Sequence, residues 1–171
     1  YKRELAGYYA HIAALDKSMG DLMKTLDDLG ITDNTLLVFT SDHGDMIGSH
    51  NLQRKQKPWD ESIRIPFLVR YPKAYGTQGR KITMPINTPD IMPTLLGLSK
   101  IDIPNTVEGK DYSPVMRDEV KPHDQAVLIS CVAPFGEWQR KRGGREYRGV
   151  RTARYTYVRN LEGPWLLYDN E

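Results

Sequence analysis

Cysteine is nearly absent: Cys131 stands alone among 171 residues. A single thiol excludes an internal disulfide framework and any multi-cysteine zinc site. Long apolar runs are lacking as well, and none approaches the ~18 residues that span a bilayer. Nor is there an excess of charge of one sign. The 24 basic residues face 22 acidic ones for a net charge of +2, a balance that argues against nucleic acid as a partner. Apolar residues make up 39% of the chain, enough for a core and too many for a disordered chain. The length suits one domain or one and a half. The chain opens on Tyr1-Lys2-Arg3-Glu4 with no methionine and closes on Leu167-Tyr168-Asp169-Asn170-Glu171 with no taper. Both ends read as cut, so a piece of a larger protein is expected.

What is present begins with a helical stripe. Leu5, Tyr8, Ile12, Leu15, Met19, Leu22, Leu26 and Leu29 recur at steps of three and four, which predicts a long amphipathic helix with Tyr8, Tyr9 and Met19 in a core. Gly30 stands where a left-handed C-terminal cap belongs. After the turn cluster Thr32-Asp33-Asn34, the unbroken apolar run Thr35–Thr40 predicts a strand buried on both faces, as in a parallel sheet flanked by helices. Ile65–Arg70 is a second such run, and the order helix, strand, loop, strand is that of an α/β fold. Thr88-Pro89-Asp90 begins another helix, with Ile91, Leu95 and Leu98 toward the core. Ala126–Ser130, Tyr147–Thr152, Tyr155–Arg159 and Trp165–Asp169 are short, β-branched or aromatic, and parted by tight turns, which predicts an antiparallel meander. The texture changes near Lys121, dividing the chain into residues 1–120 and 121–171.

The first buried strand runs into Ser41-Asp42-His43-Gly44-Asp45. In open α/β sheets ligands gather beyond the carboxyl ends of strands, which puts Asp42 and His43 at a candidate active edge. A carboxylate beside an imidazole supplies two metal ligands, or a base and its orienter; equally, it can be a turn with a solvated Asp and a capping Gly. Gly48-Ser49-His50 and Arg54-Lys55-Gln56-Lys57 follow closely. Acid, imidazole and cations at one strand end suit an anionic ester beside a metal, since ammonium groups neutralise charge on a sulfuryl or phosphoryl group. Lys55 and Lys57 could also lie on a solvated loop.

Thr35–Gly44 followed by Lys55-x-x-x-Trp59-Asp60-Glu61-Ser62-x-Arg64-x-Pro66 resembles the C-terminal half of a type I sulfatase, of the alkaline phosphatase-like superfamily. Asn87–Leu95 is similar to that family's later Asp-x-x-Pro-Thr helix, and Arg148–Thr152, Tyr155–Tyr157 and Leu167–Asp169 to its terminal small sheet. The resemblance covers nearly the whole chain in order. It implies an α/β fold: part of an alkaline phosphatase-like sheet flanked by helices, then a small C-terminal antiparallel sheet. It implies hydrolysis of a sulfate ester, with Asp42 and His43 as metal ligands, Lys55 as a catalytic and substrate-binding lysine, and His50 at the substrate mouth in the same two roles. Glu61 and Arg64 would hold the loop against the sheet, and Lys57, with no counterpart in the family, falls to the surface. The implied metal is Ca²⁺, with Mg²⁺, Mn²⁺ or Zn²⁺ as alternatives because an imidazole suits the softer ions.

The departures are as informative. Cys131-Val132-Ala133-Pro134-Phe135 does not match the family's Cys/Ser-x-Pro-x-Arg, the source of its formylglycine nucleophile, so Cys131 reads as a buried strand-end thiol. The family's first Asp pair, its upstream histidine and its second lysine are also missing. Half an active site is therefore expected here, with the formylglycine upstream of this chain in the missing N-terminal half of the domain. The implied partner is a sulfate ester, with a sulfated carbohydrate as one candidate, and no nucleic acid or membrane span is expected. The resemblance favours a periplasmic or secreted setting. Phosphonate and phosphodiester hydrolases of the superfamily share Asp-His-Gly and form the first alternative. A non-catalytic C-terminal module is the second.

One segment stands apart. Between Glu137 and Arg159 eight basic residues face only Glu137 and Glu146, with Trp138, Tyr147 and Tyr155 interleaved. This is a solvated strand face, or a cationic rim that concentrates a polyanionic substrate.

Overall fold

A computed structural model describes residues 2–123 and 125–171. Helix α1 (Lys2–Asp28) is followed by strand β1 (Leu37–Thr40), the single-turn helix α2 (Asp60–Ile63), strand β2 (Phe67–Arg70) and the short helix α3 (Pro72–Tyr75). Helices α4 (Thr88–Leu98) and α5 (Ser113–Met116) precede strands β3 (Val127–Cys131), β4 (Tyr147–Arg151), β5 (Tyr155–Asn160) and β6 (Gly163–Asp169).

The helical stripe does form one helix, and Gly30 ends it with φ of 67°. The expected core position does not hold. No residue of α1 is buried, Tyr8 and Leu22 are exposed, and Tyr9 is 62% exposed. Periodicity reports which face a helix offers for packing; among the described residues nothing closes over this one.

The expectation of a parallel sheet at β1 is likewise corrected. Strand β1 pairs antiparallel with β2, Leu37 opposite Arg70 and Thr40 opposite Phe67, in a two-stranded sheet. Continuous apolarity signals two faces suited to burial and carries no information on the direction of the neighbouring strand.

The C-terminal meander is as the sequence predicts. Strands β3 to β6 form one antiparallel sheet in chain order. Its inner face carries Cys131, Tyr147 and Val158, which pack with Trp138 and are joined by Leu52, Trp59, Ile129, Trp165 and Leu166. Leu52 and Trp59 come from the loop between β1 and β2, so that loop is built into the core of the C-terminal sheet. At Gly149 a Cβ would stand 2.3 Å from the Tyr157 carbonyl oxygen, which is why glycine occupies this strand position.

Helix α4 starts with a capping box: the Asn87 side chain accepts from the Thr88 N–H at 2.9 Å, and Asp90 accepts from the Asn87 N–H at 2.8 Å. Its buried face is Asp90, Pro93, Thr94 and Leu98, so of the three apolar residues expected inward only Leu98 is fully buried. The other oxygen of Asp90 accepts from the Lys110 N–H at 2.9 Å, tying the helix start to the segment before α5. Asp90→Ala removes the acceptor of two part-buried N–H groups and should cost about 1 kcal/mol of stability by urea denaturation; an unchanged midpoint would show that water replaces the carboxylate.

Candidate functional site

Strand β1 delivers the backbone to Ser41–Asp45, and the turn that follows is fixed by two close approaches. The Gly44 N–H donates to the Ser62 carbonyl at 2.9 Å, and a Cβ on Gly44 would stand 2.1 Å from the Glu61 carbonyl oxygen. Only glycine lets the Asp-His-Gly turn lie against α2. Asp45 then accepts from the N–H groups of Ile47 (2.9 Å) and Arg54 (3.0 Å), closing the loop that returns toward Lys55.

The imidazole of His43 has both nitrogens engaged. Nδ1 lies 2.7 Å from the Gly44 carbonyl, which can only accept, so Nδ1 carries the proton. Nε2 is thereby left as a lone-pair donor, and the Lys55 ammonium, which can only donate, meets it at 2.8 Å. The Asp42 carboxylate stands 3.4 Å from the same nitrogen and is largely exposed. Asp42, His43 and Lys55 therefore converge, from opposite ends of the loop.

Two lone-pair donors 3.4 Å apart repel unless a positive charge lies near both, and this pair is close enough to reach one cation. A backbone carbonyl holding the far ring nitrogen is the second contact that orients metal-binding histidines. The donor set thus fits a metal ion, though only in part. Among the described residues no group of three or more His, Cys, Asp or Glu side chains comes together.

His50 is not brought to that cluster. It sits in the turn Ser49–Asn51 with φ of 55°, and its ring stacks on Trp59 with centroids 4.8 Å apart. Arg64 does not hold the loop as expected: its side chain is exposed, 3.8 Å from Asp60, and Glu61 is exposed. The partner of Asp60 is Arg151 on β4, which donates through Nε and Nη2 at 3.0 Å each. A two-pronged guanidinium–carboxylate contact fixes orientation as well as distance, which one long contact does not.

Lys57 is the largest departure from the sequence reading. Expected at the surface, it is 2% exposed, donates to the Gln53 carbonyl and lies 5.5 Å from the centre of the Trp138 ring. Burial pushes its pKa down, against the opposing pull of Glu137 and Asp45. No local signal marks this lysine, because the Trp138 ring that covers it comes from the C-terminal part of the chain. Cys131 is the buried strand-end thiol that was expected, its pKa raised by burial.

With fold and geometry in place, the comparisons with known proteins are direct. The family model described as Sulfatase matches residues 1–101. The chain is 46% identical to the "Ulvan-active sulfatase" of Formosa agariphila, over 99% of its own length and 33% of that protein. A solved structure described as in complex with its substrate D-glucosamine-2-N,6-O-disulfate superposes with a TM-score of 0.76 at 27% identity, over 92% of this chain and 32% of that one. A phosphonate monoester hydrolase from Silicibacter pomeroyi gives 0.70 at 28% identity, over 91% of this chain and 32% of that one. The chain belongs to the sulfatase family, and its helices and two antiparallel sheets are those of the alkaline phosphatase-like fold. It spans about a third of the length of the curated relatives it matches. No helix among the described residues is long and apolar enough to cross a membrane.

The turn at Gly44 allows a direct check. Gly44→Ala must push the backbone off α2 and should cost about 1–3 kcal/mol by urea denaturation. A stability equal to wild type would mean that the turn relaxes at no cost and that the close approach to Glu61 is unimportant.

Proposed function

We propose that the full-length protein hydrolyses a sulfate ester and that this chain contributes half of the reaction centre. Residues 1–120 would be the C-terminal part of the catalytic α/β domain, and 121–171 a small subdomain that buttresses it. The observation that carries the reading is the convergence of Asp42, His43 and Lys55 at the end of β1. In this reading Asp42 and His43 hold a divalent cation, Ca²⁺ first, with Mg²⁺, Mn²⁺ or Zn²⁺ as alternatives. When bound, such a cation polarises ester oxygens and neutralises their charge.

Each side chain then has a task. Asp42 contributes negative charge, and His43 contributes the Nε2 lone pair held outward by its bond to Gly44. Lys55 approaches the sulfate oxygens and stabilises charge that builds on the ester or its leaving group. His50, exposed and stacked on Trp59, contacts the substrate rather than the reacting atoms. The nucleophile, a formylglycine from a Cys/Ser-x-Pro-x-Arg motif, would come from outside these 171 residues. A sulfated carbohydrate is the substrate class favoured by the relatives, among them the structure in complex with a disulfated glucosamine and an ulvan-active sulfatase. A periplasmic or secreted location remains part of the proposal.

A second reading replaces sulfate with a phosphonate or phosphodiester, supported by the likeness to a phosphonate monoester hydrolase. Turnover of the full-length enzyme on matched aryl sulfate, phosphate and phosphonate esters separates the two. Lys55→Ala in that protein should lower kcat/KM on the preferred ester by roughly 10²–10³-fold, with the thermal midpoint nearly unchanged. Wild-type turnover by the variant would remove Lys55 from the site.

A further inference from the structure

The residues on either side of Lys55 all turn away from it. Arg54 Nε pairs with Glu137 Oε1 at 3.1 Å, and Lys57 is buried beneath Trp138. Between these two, the Gln56 carboxamide makes two hydrogen bonds to one backbone residue: its Oε1 accepts from the Phe135 N–H at 3.0 Å, and its Nε2 donates to the Phe135 carbonyl at 3.1 Å. Lys55 alone faces the other way, with its ammonium on His43. Arg54 and Gln56 both have positive φ, 61° and 73°, an arrangement that a non-glycine residue holds only when its surroundings impose it.

We propose that Gln56 is a positioning residue for Lys55: its two-point clamp on the Phe135 backbone sets the direction in which the neighbouring ammonium points. The proposal rests on the reading of Lys55 given above. The geometry distinguishes Gln56 from its neighbours. The Arg54–Glu137 pair is largely exposed, and such pairs hold a loop weakly. Lys57 is buried against Trp138, a member of the sheet's core cluster, so changing it disturbs that core. A carboxamide that accepts from the N–H and donates to the carbonyl of a single residue fixes both position and rotation, as a strand partner does, and it acts on the residue next to Lys55. The C-terminal subdomain thereby reaches the site through backbone atoms of Phe135, with no side chain of its own among Asp42, His43 and Lys55.

The test is a double-mutant cycle in the full-length protein, measured as kcat/KM on its preferred aryl ester, with folding checked by thermal melting. Gln56→Met keeps the volume and removes both hydrogen bonds. Misplacing a reacting group by about 1 Å can cost on the order of 100-fold, so a roughly 10- to 100-fold loss is expected, carried in kcat more than in KM. In a Lys55→Ala background the same change should have an effect of less than about twofold, because the group it positions is gone. Equal losses in both backgrounds would mean a merely structural role and overturn the proposal, as would no loss at all. Should Gln56→Met fail to fold, Gln56→Glu, which keeps an acceptor for the Phe135 N–H, takes its place in the cycle. An active wild type with uncoupled losses overturns the clamp alone; a wild type inert toward sulfate, phosphate and phosphonate esters overturns the reading of the whole site.

Discussion

Everything near the site depends on residues 57–60 being packed into the C-terminal sheet. Lys57 is buried against Trp138, and the Trp59 indole donates to the Tyr168 hydroxyl at 2.5 Å. Asp60 is gripped from two sides of its carboxylate by Arg151. Trp59 also meets Trp165 edge to face with ring centres 5.9 Å apart, and Trp165 lies near both Trp138 and Tyr147. Aromatic burial supplies most of the attraction, and the partly buried ion pair adds direction. A loop would otherwise be the most mobile part of an α/β fold. Here its second half is part of a sheet core, and its first half is closed by the acceptor oxygen of Asp45.

That anchoring explains how a long loop can present a charge-balanced cluster. Asp42 and the Nε2 lone pair of His43 would repel each other, and the ammonium of Lys55 offsets this at 2.8 Å from the imidazole. The balance is local and exposed on one side, so a second cation or an anionic ester changes it at once. In the proposed reading, a divalent ion near Asp42 and His43 would repel the ammonium, and a sulfate oxygen would attract it. Of the three groups only Lys55 and His43 share a hydrogen bond, with the Asp42 carboxylate beside it at 3.4 Å from the same ring nitrogen.

How much of this the sequence disclosed depends on the range of each interaction. The α4 start at Asn87-Thr88-Pro89-Asp90 and the four-strand meander follow from local chemistry, caps and alternation, and both form as expected. The family motif singles out Asp42, His43 and Lys55 as candidates, and no spacing rule states that Lys55 meets His43. What failed was non-local. Lys57 resembles any solvated lysine until Trp138 covers it, and Asp60 could not be assigned to Arg151 rather than Arg64 without the sheet that brings β4 alongside. The stripe of α1 failed for the opposite reason: its pattern is right, and among the described residues nothing covers that face.

The basic segment shows the same effect acting on charge. Counted along the chain, Glu137–Arg159 carries a large positive excess, which would suit a polyanion. Folded, much of that charge is committed. Arg140 pairs with Glu146, Arg151 with Asp60 and Arg154 with Asp169, while Arg145 lies over the Trp165 ring at 4.9 Å. Arg148 and Arg159 face each other across β4 and β5, a cross-strand arrangement that costs free energy. The field that remains for a ligand comes from Lys141, Arg142 and that arginine pair, fewer charges than the linear count implies and in separate places. Any cationic rim on this face is therefore limited to a few positions. Lys141 and Arg142 lie in the exposed turn Arg140–Arg142, a few residues after the Phe135 backbone that Gln56 bonds, whereas Arg148 and Arg159 lie on strands of the sheet.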